Sequence, residues 1–144
     1  MARFNQSVLI KRPLEQVFAY LADPENDPHW SEAADEMLLT SERPVRVGST
    51  VRQLGHFLGR RLEFALEVTV YEPGHRFGMK VTSGPIRFAG IRTVEPVPEG
   101  TKVTFAGGGH SGGFFKIIEL LVSWAANRQL GADLRSLKRV LEET

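Results

Sequence analysis

Cysteine is absent from the 144 residues, so neither a disulfide framework nor thiolate chemistry is open to this chain. An excess of one charge is missing too. Eighteen basic against seventeen acidic residues leave a formal net charge of +1, which gives no electrostatic case for nucleic acid. Long apolar runs are lacking as well. The greasiest stretch, Phe114 to Ala126, carries Lys116 and Glu119 and falls short of the roughly twenty residues that cross a bilayer. The opening Ala-Arg-Phe-Asn-Gln-Ser is too polar for the core of a secretory leader. No HExxH, phosphate-loop or GxSxG spacing occurs, and the four histidines are not spaced as metal ligands. These absences predict one cytoplasmic domain over residues 1–144. They give it no metal, no cofactor, no nucleic-acid partner and no stable membrane insertion, and leave monomer and homodimer both open.

What is present is an ordinary globular composition, 42% apolar and 24% charged, enough to bury a core in a single domain. Arg3 to Lys11 alternates loosely and reads as a first strand. Pro13 opens a short helix whose Leu14, Val17, Phe18 and Leu21 share one face. Asp23-Pro24 ends it, and Asp27-Pro28 predicts a capped helical turn through Ala33 that carries His29 and Trp30. Six strands follow: Glu36–Glu42, Thr50–Leu58, Arg61–Tyr71, His75–Thr82, Ile86–Glu95 and Thr101–Ala106. Arg61–Tyr71 is the clearest, with Leu62, Phe64, Leu66, Val68 and Val70 on one side. Short connections predict an antiparallel meander.

The run Gly107 to Gly113 reads as a flexible corner into a long helix, Gly113 to Glu143, roughly 45 Å at 1.5 Å per residue. Leu130, Leu134, Leu137 and Leu141 form its later seam. A twisted sheet curled around such a helix leaves a wedge between them, the kind of concave space where ligands bind.

Three stretches carry a family likeness. They are Ile10-Lys-Arg-Pro-Leu-Glu-Gln-Val-Phe-Ala-Tyr-Leu-Ala-Asp-Pro followed by Trp30, then Val70-Tyr-Glu-Pro-Gly-His-Arg-Phe, and Thr93-Val-Glu-Pro-Val-Pro-Glu-Gly-Thr-Lys-Val-Thr. With them the chain resembles the SRPBCC or START-like helix-grip superfamily, in particular its polyketide cyclase/dehydrase and lipid-transport-like group. The resemblance implies an α+β helix-grip fold: a curved antiparallel sheet of about seven strands around a long C-terminal helix, with two small helices after strand 1. It also implies a cavity under that helix for a lipid, polyketide or other apolar molecule. No reaction is implied, because members bind as well as catalyse and fold is not function. The leading expectation is a carrier or sensor of a small hydrophobic ligand, not an enzyme. The alternative is a polyketide cyclase, aromatase or dehydratase acting in the same cavity, which needs a general acid or base on the wall.

The expected wall is Trp30, Phe64, Phe88, Phe105, Ile118, Leu121 and Trp124, with Arg92 as its polar member. Arg92 shares strand parity with Ile86, Phe88, Gly90 and Val94, and a guanidinium on an apolar face must be paired or reach water. It is expected to anchor a carboxylate, carbonyl or enolate, unless a bulge at Gly90 turns it outward or it forms a salt bridge at the sheet end. Read as unpaired, its loss in Arg92→Leu should change stability little or raise it. His29, His56, His75 and His110 carry no assigned chemistry; His29 is a plausible rim residue and His75 is expected in solvent.

Overall fold

The computed structural model describes residues 2–32, 34–57, 59–110 and 116–143, with the side chains of Ala2, Phe57, His110 and residues 116–123 outside that description. Seven strands form one sheet: β1 Ala2–Ile10, β2 Ala34–Leu39, β3 Thr50–Phe57, β4 Arg60–Glu72, β5 Arg76–Ser83, β6 Arg87–Val97 and β7 Gly100–His110. Helix α1 spans Leu14–Leu21, a 3₁₀ segment covers Pro24–His29, and helix α2 runs Lys116–Glu142. The strand order is β1-β7-β6-β5-β4-β3-β2, antiparallel throughout, and the sheet curls around α2 as a helix-grip half-barrel.

From β2 to β7 the chain is the expected meander. β1 departs from it by crossing to the far edge and pairing with β7, Val8 opposite Val103 and Phe4 opposite Gly107. The glycine run also departs from expectation. Gly107, Gly108 and Gly109 are the end of β7, paired on both sides, rather than a corner after it. Residues 111–115, where the corner was also placed, lie outside the described residues.

Alternation builds the core. On β4, Phe64, Leu66 and Val68 are buried between more exposed neighbours. Helix α1 buries Val17, Phe18 and Leu21, and α2 buries Leu134, Leu137 and Leu141, all within one apolar core that includes Ile10. Polar ties fix α2 along β1. Gln6 Nε2 donates to Asn127 O at 2.6 Å, Lys138 Nζ to Leu9 O at 2.7 Å, and Lys11 N–H to Glu142 Oε2 at 2.8 Å. Among the described residues no helix is long and apolar enough to cross a membrane.

The 3₁₀ segment corrects one detail. Asp23, not Asp27, is its cap, accepting from Glu25 N–H at 3.1 Å, and Pro24 occupies the first turn. Asp27 is instead 4% exposed, and its carboxylate turns to the sheet.

Candidate functional site: a cavity between sheet and helix

Between the inner face of the sheet and α2 lies a cavity of about 350 Å³. Trp30, Met37, Leu62, Phe64, Leu66, Phe77, Met79, Phe88, Phe105 and Leu130 supply most of its wall. The aromatic rings hold one another edge to face. Trp30 and Phe105 lie 5.4 Å apart at 89°, and Phe64 and Phe88 lie 5.7 Å apart at 72°.

Two buried carboxylates, each with its own partners, stand in this wall. The first, Asp27, forms an ion pair. Arg92 Nη1–H donates to Asp27 Oδ1 at 3.0 Å and to Leu21 O at 2.9 Å, and Arg92 Nη2–H donates to Asp27 Oδ2 at 2.5 Å. The side chains are only 12% and 6% exposed. The guanidinium sits 5.2 to 5.7 Å from the ring centres of Trp30, Phe77 and Phe105, which suits a weakly hydrated cation. Burial pushes the Asp27 carboxyl up, and Arg92 pulls it back toward the ionised form.

The second is Asp133, 6% exposed on α2. It accepts from Glu32 N–H at 3.1 Å, Gln129 Nε2–H at 2.8 Å and Ser31 Oγ–H at 3.2 Å. Burial raises its pKa, and these three hydrogen bonds oppose the rise. Below the ordinary aspartate value, about 3.9, the carboxyl is protonated in folded and unfolded chains alike. Between there and the raised folded value the folded protein keeps a proton that the unfolded chain has released, so stability falls as pH rises. Asp133→Asn is therefore expected to gain on the wild type as pH climbs through this window. Urea titrations at several pH values read the difference, and one that stays flat with pH refutes the assignment.

Residues 1–142 match the family described as "Polyketide cyclase / dehydrase and lipid transport". The chain belongs to this family. Solved structures agree in fold. A START superfamily protein from Mycobacterium smegmatis superposes at TM-score 0.85 with 13% identity, covering 99% of each chain. The Zhui aromatase/cyclase from a Streptomyces species gives 0.77 at 13% identity, over 97% of this chain and 93% of that one. A Thermus thermophilus protein gives 0.78 at 17% identity, over 96% and 94%. Identities this low show the fold alone. No curated protein matches the sequence.

Within the family fold, the expected wall residues divide. Trp30, Phe64, Phe88, Arg92 and Phe105 all border the cavity. Ile118 and Leu121 fall among the side chains outside the description. Trp124 does not border it: the indole is 63% exposed, with the Arg128 guanidinium 5.5 Å from the ring centre. The reason is helical phase. Leu134, Leu137 and Leu141 set the rotation of α2. At 3.6 residues per turn, Trp124 falls about 120° around the helix from Leu130. Arg92 faces inward as its parity predicts, but it is paired within the chain, so the expectation that its removal leaves stability unchanged is corrected below.

The side chain of His110 lies outside the description, and of the other histidines only His56 borders the cavity. Its Nδ1 lies 3.0 Å from both oxygens of Asp35, and that hydrogen bond raises its pKa. His29 is not on the wall, and His75 sits exposed on the turn between β4 and β5. Asp27 and Asp133 escaped the sequence reading as site residues. Asp133 had a signal, since it lies three residues after Leu130 and four before Leu137, a polar residue set into an apolar seam. Among the described residues no group of three or more His, Cys, Asp or Glu is placed to hold a metal.

Proposed function

We propose that the protein holds a small hydrophobic molecule, of lipid or polyketide type, in this cavity as a carrier or sensor in the cytoplasm. One observation carries the reading: a space of about 350 Å³ walled mainly by aromatic and aliphatic side chains. It falls at the lower end of the roughly 300–1,000 Å³ typical of ligand pockets. The family supports it, and so does the cysteine-free composition for a reducing compartment. Native mass spectrometry of freshly purified protein is expected to show a co-purified apolar molecule that leaves on mild activation. A protein that arrives empty, and stays empty when offered long-chain ketones and polycyclic aromatics, overturns the reading.

A second reading, an enzyme of cyclase or dehydratase type, is favoured by Asp133, a buried carboxyl on the wall whose pKa is raised as a general acid requires. The same experiment separates the two. A carrier returns its ligand with unchanged mass, whereas a dehydratase returns it lighter by one water.

A further inference from the structure

We infer that the Trp30–Arg92 end of the cavity is a subsite for a neutral hydrogen-bond acceptor, so that the bound molecule is apolar with a carbonyl oxygen (ketone, ester, lactone or quinone) rather than a pure hydrocarbon or a free acid. The inference rests on the carrier reading and adds the chemical class of what is carried.

Three observations support it. The Trp30 indole N–H is buried and has no hydrogen-bond partner among the described residues, and Trp30 itself is 5% exposed on the cavity wall. A donor stripped of water and given no acceptor is costly, and native structures rarely leave one without a reason. Next to it, the bonds from Arg92 to Asp27 and Leu21 leave its Nε–H and one Nη2–H without an acceptor among the described residues. The guanidinium lies 5.3 Å from the Trp30 ring centre, so these donors and the indole N–H belong to one corner.

Charge selects among acceptors. Asp27 already neutralises Arg92 through both carboxylate oxygens, and Asp27 is itself buried. A ligand carboxylate placed here would bring a second anion beside Asp27 in a low-dielectric wall where Arg92 is already neutralised. A carbonyl oxygen accepts the same hydrogen bonds and adds no net charge. The corner therefore discriminates on hydrogen-bond polarity, and the aromatic wall supplies affinity.

The test uses three probes of nearly one shape: fluorene, 9-fluorenone and fluorene-9-carboxylate. Binding is followed by the indole ¹⁵N–¹H resonances, where exposed Trp124 serves as the internal reference for Trp30. Fluorenone is expected to bind about tenfold more tightly than fluorene, the scale of one satisfied buried donor. It should also bind more tightly than the carboxylate and move the Trp30 resonance downfield while leaving that of Trp124 in place. In Trp30→Phe the ketone preference should shrink, because one of the corner's donors is gone, while fluorene still binds. Equal binding of fluorene and fluorenone, or a Trp30 resonance that stays still on ketone binding, overturns the subsite and leaves the carrier reading standing. If none of the three binds, this inference falls, and the carrier reading is judged separately by the co-purified molecule and the long-chain ketones. The resonance measurement needs only the wild-type protein, so a Trp30→Phe variant that fails to fold does not remove the test.

Discussion

Replacing Arg92 with leucine is expected to cost the fold about 3–5 kcal/mol, because it leaves the Asp27 carboxylate buried and unpaired. Both of its oxygens currently accept from Arg92. The same substitution removes the donor to Leu21 O, the last carbonyl of α1, and a cation from among three aromatic rings. Asp27→Leu alone should be similarly damaging, since it strands the guanidinium. The double variant Arg92→Leu with Asp27→Leu should recover most of the loss, because a well-packed apolar pair often matches or exceeds a buried ion pair. Urea denaturation midpoints of the three variants and the wild type form a double-mutant cycle that isolates the coupling. A single Arg92→Leu within about 1 kcal/mol of wild type would show that the pair holds nothing together.

The pair also positions the site. The backbone N–H of Trp30 donates to the backbone carbonyl of Asp27 at 3.1 Å, so the segment carrying the indole is fixed to the residue that Arg92 holds. In Arg92→Leu the loss of ketone preference would thus accompany a loss of stability. This is why the Trp30→Phe comparison, and not Arg92, is the sharper probe of the subsite.

The alternation on β4 and β6 was legible because one face of each strand meets the core, and it placed Phe64, Phe88 and Arg92 inward. The partner of Arg92 was not legible, because Asp27 is 65 residues away and its position before Pro28 matches a capping pattern. Local chemistry favoured a cap, and tertiary pairing overrode it. The helix misled differently. Its first half, read alone, offers several apolar faces, so Trp124 could be turned inward on paper. Only the Leu134, Leu137 and Leu141 seam, buried in the core while α2 lies along β1, settles the rotation. The edge pairing of β1 with β7 joins the two ends of the chain, and nothing in a period-two pattern names a partner strand.

Gly107→Ala is expected to destabilise by about 3 kcal/mol, at or above the upper end of ordinary overpacking. A run of glycines reads as flexible when its neighbours are unknown, yet Gly107, Gly108 and Gly109 each sit between β1 and β6. A Cβ on Gly107 would lie 2.1 Å from Ala89 O, 2.7 Å from Gly90 Cα and 2.9 Å from Phe4 Cζ. Two of those atoms are backbone of the paired strand β6, so relief requires parting β7 from β6. Phe4 and Gly90 border the cavity, so the displacement would also reshape the end of the site. Gly131→Ala is the control. It sits inside α2, where its Cβ would come no closer than 3.1 Å, to Gln6 Oε1 at the tip of a flexible side chain. Alanine there should gain up to about 1 kcal/mol of helix propensity, less whatever the Gln6 adjustment costs. The urea midpoint should therefore fall far more in Gly107→Ala than in Gly131→Ala. If Gly107→Ala leaves the midpoint unchanged, the glycines are spacers and the tight approach of β6 to β7 is not what selects them.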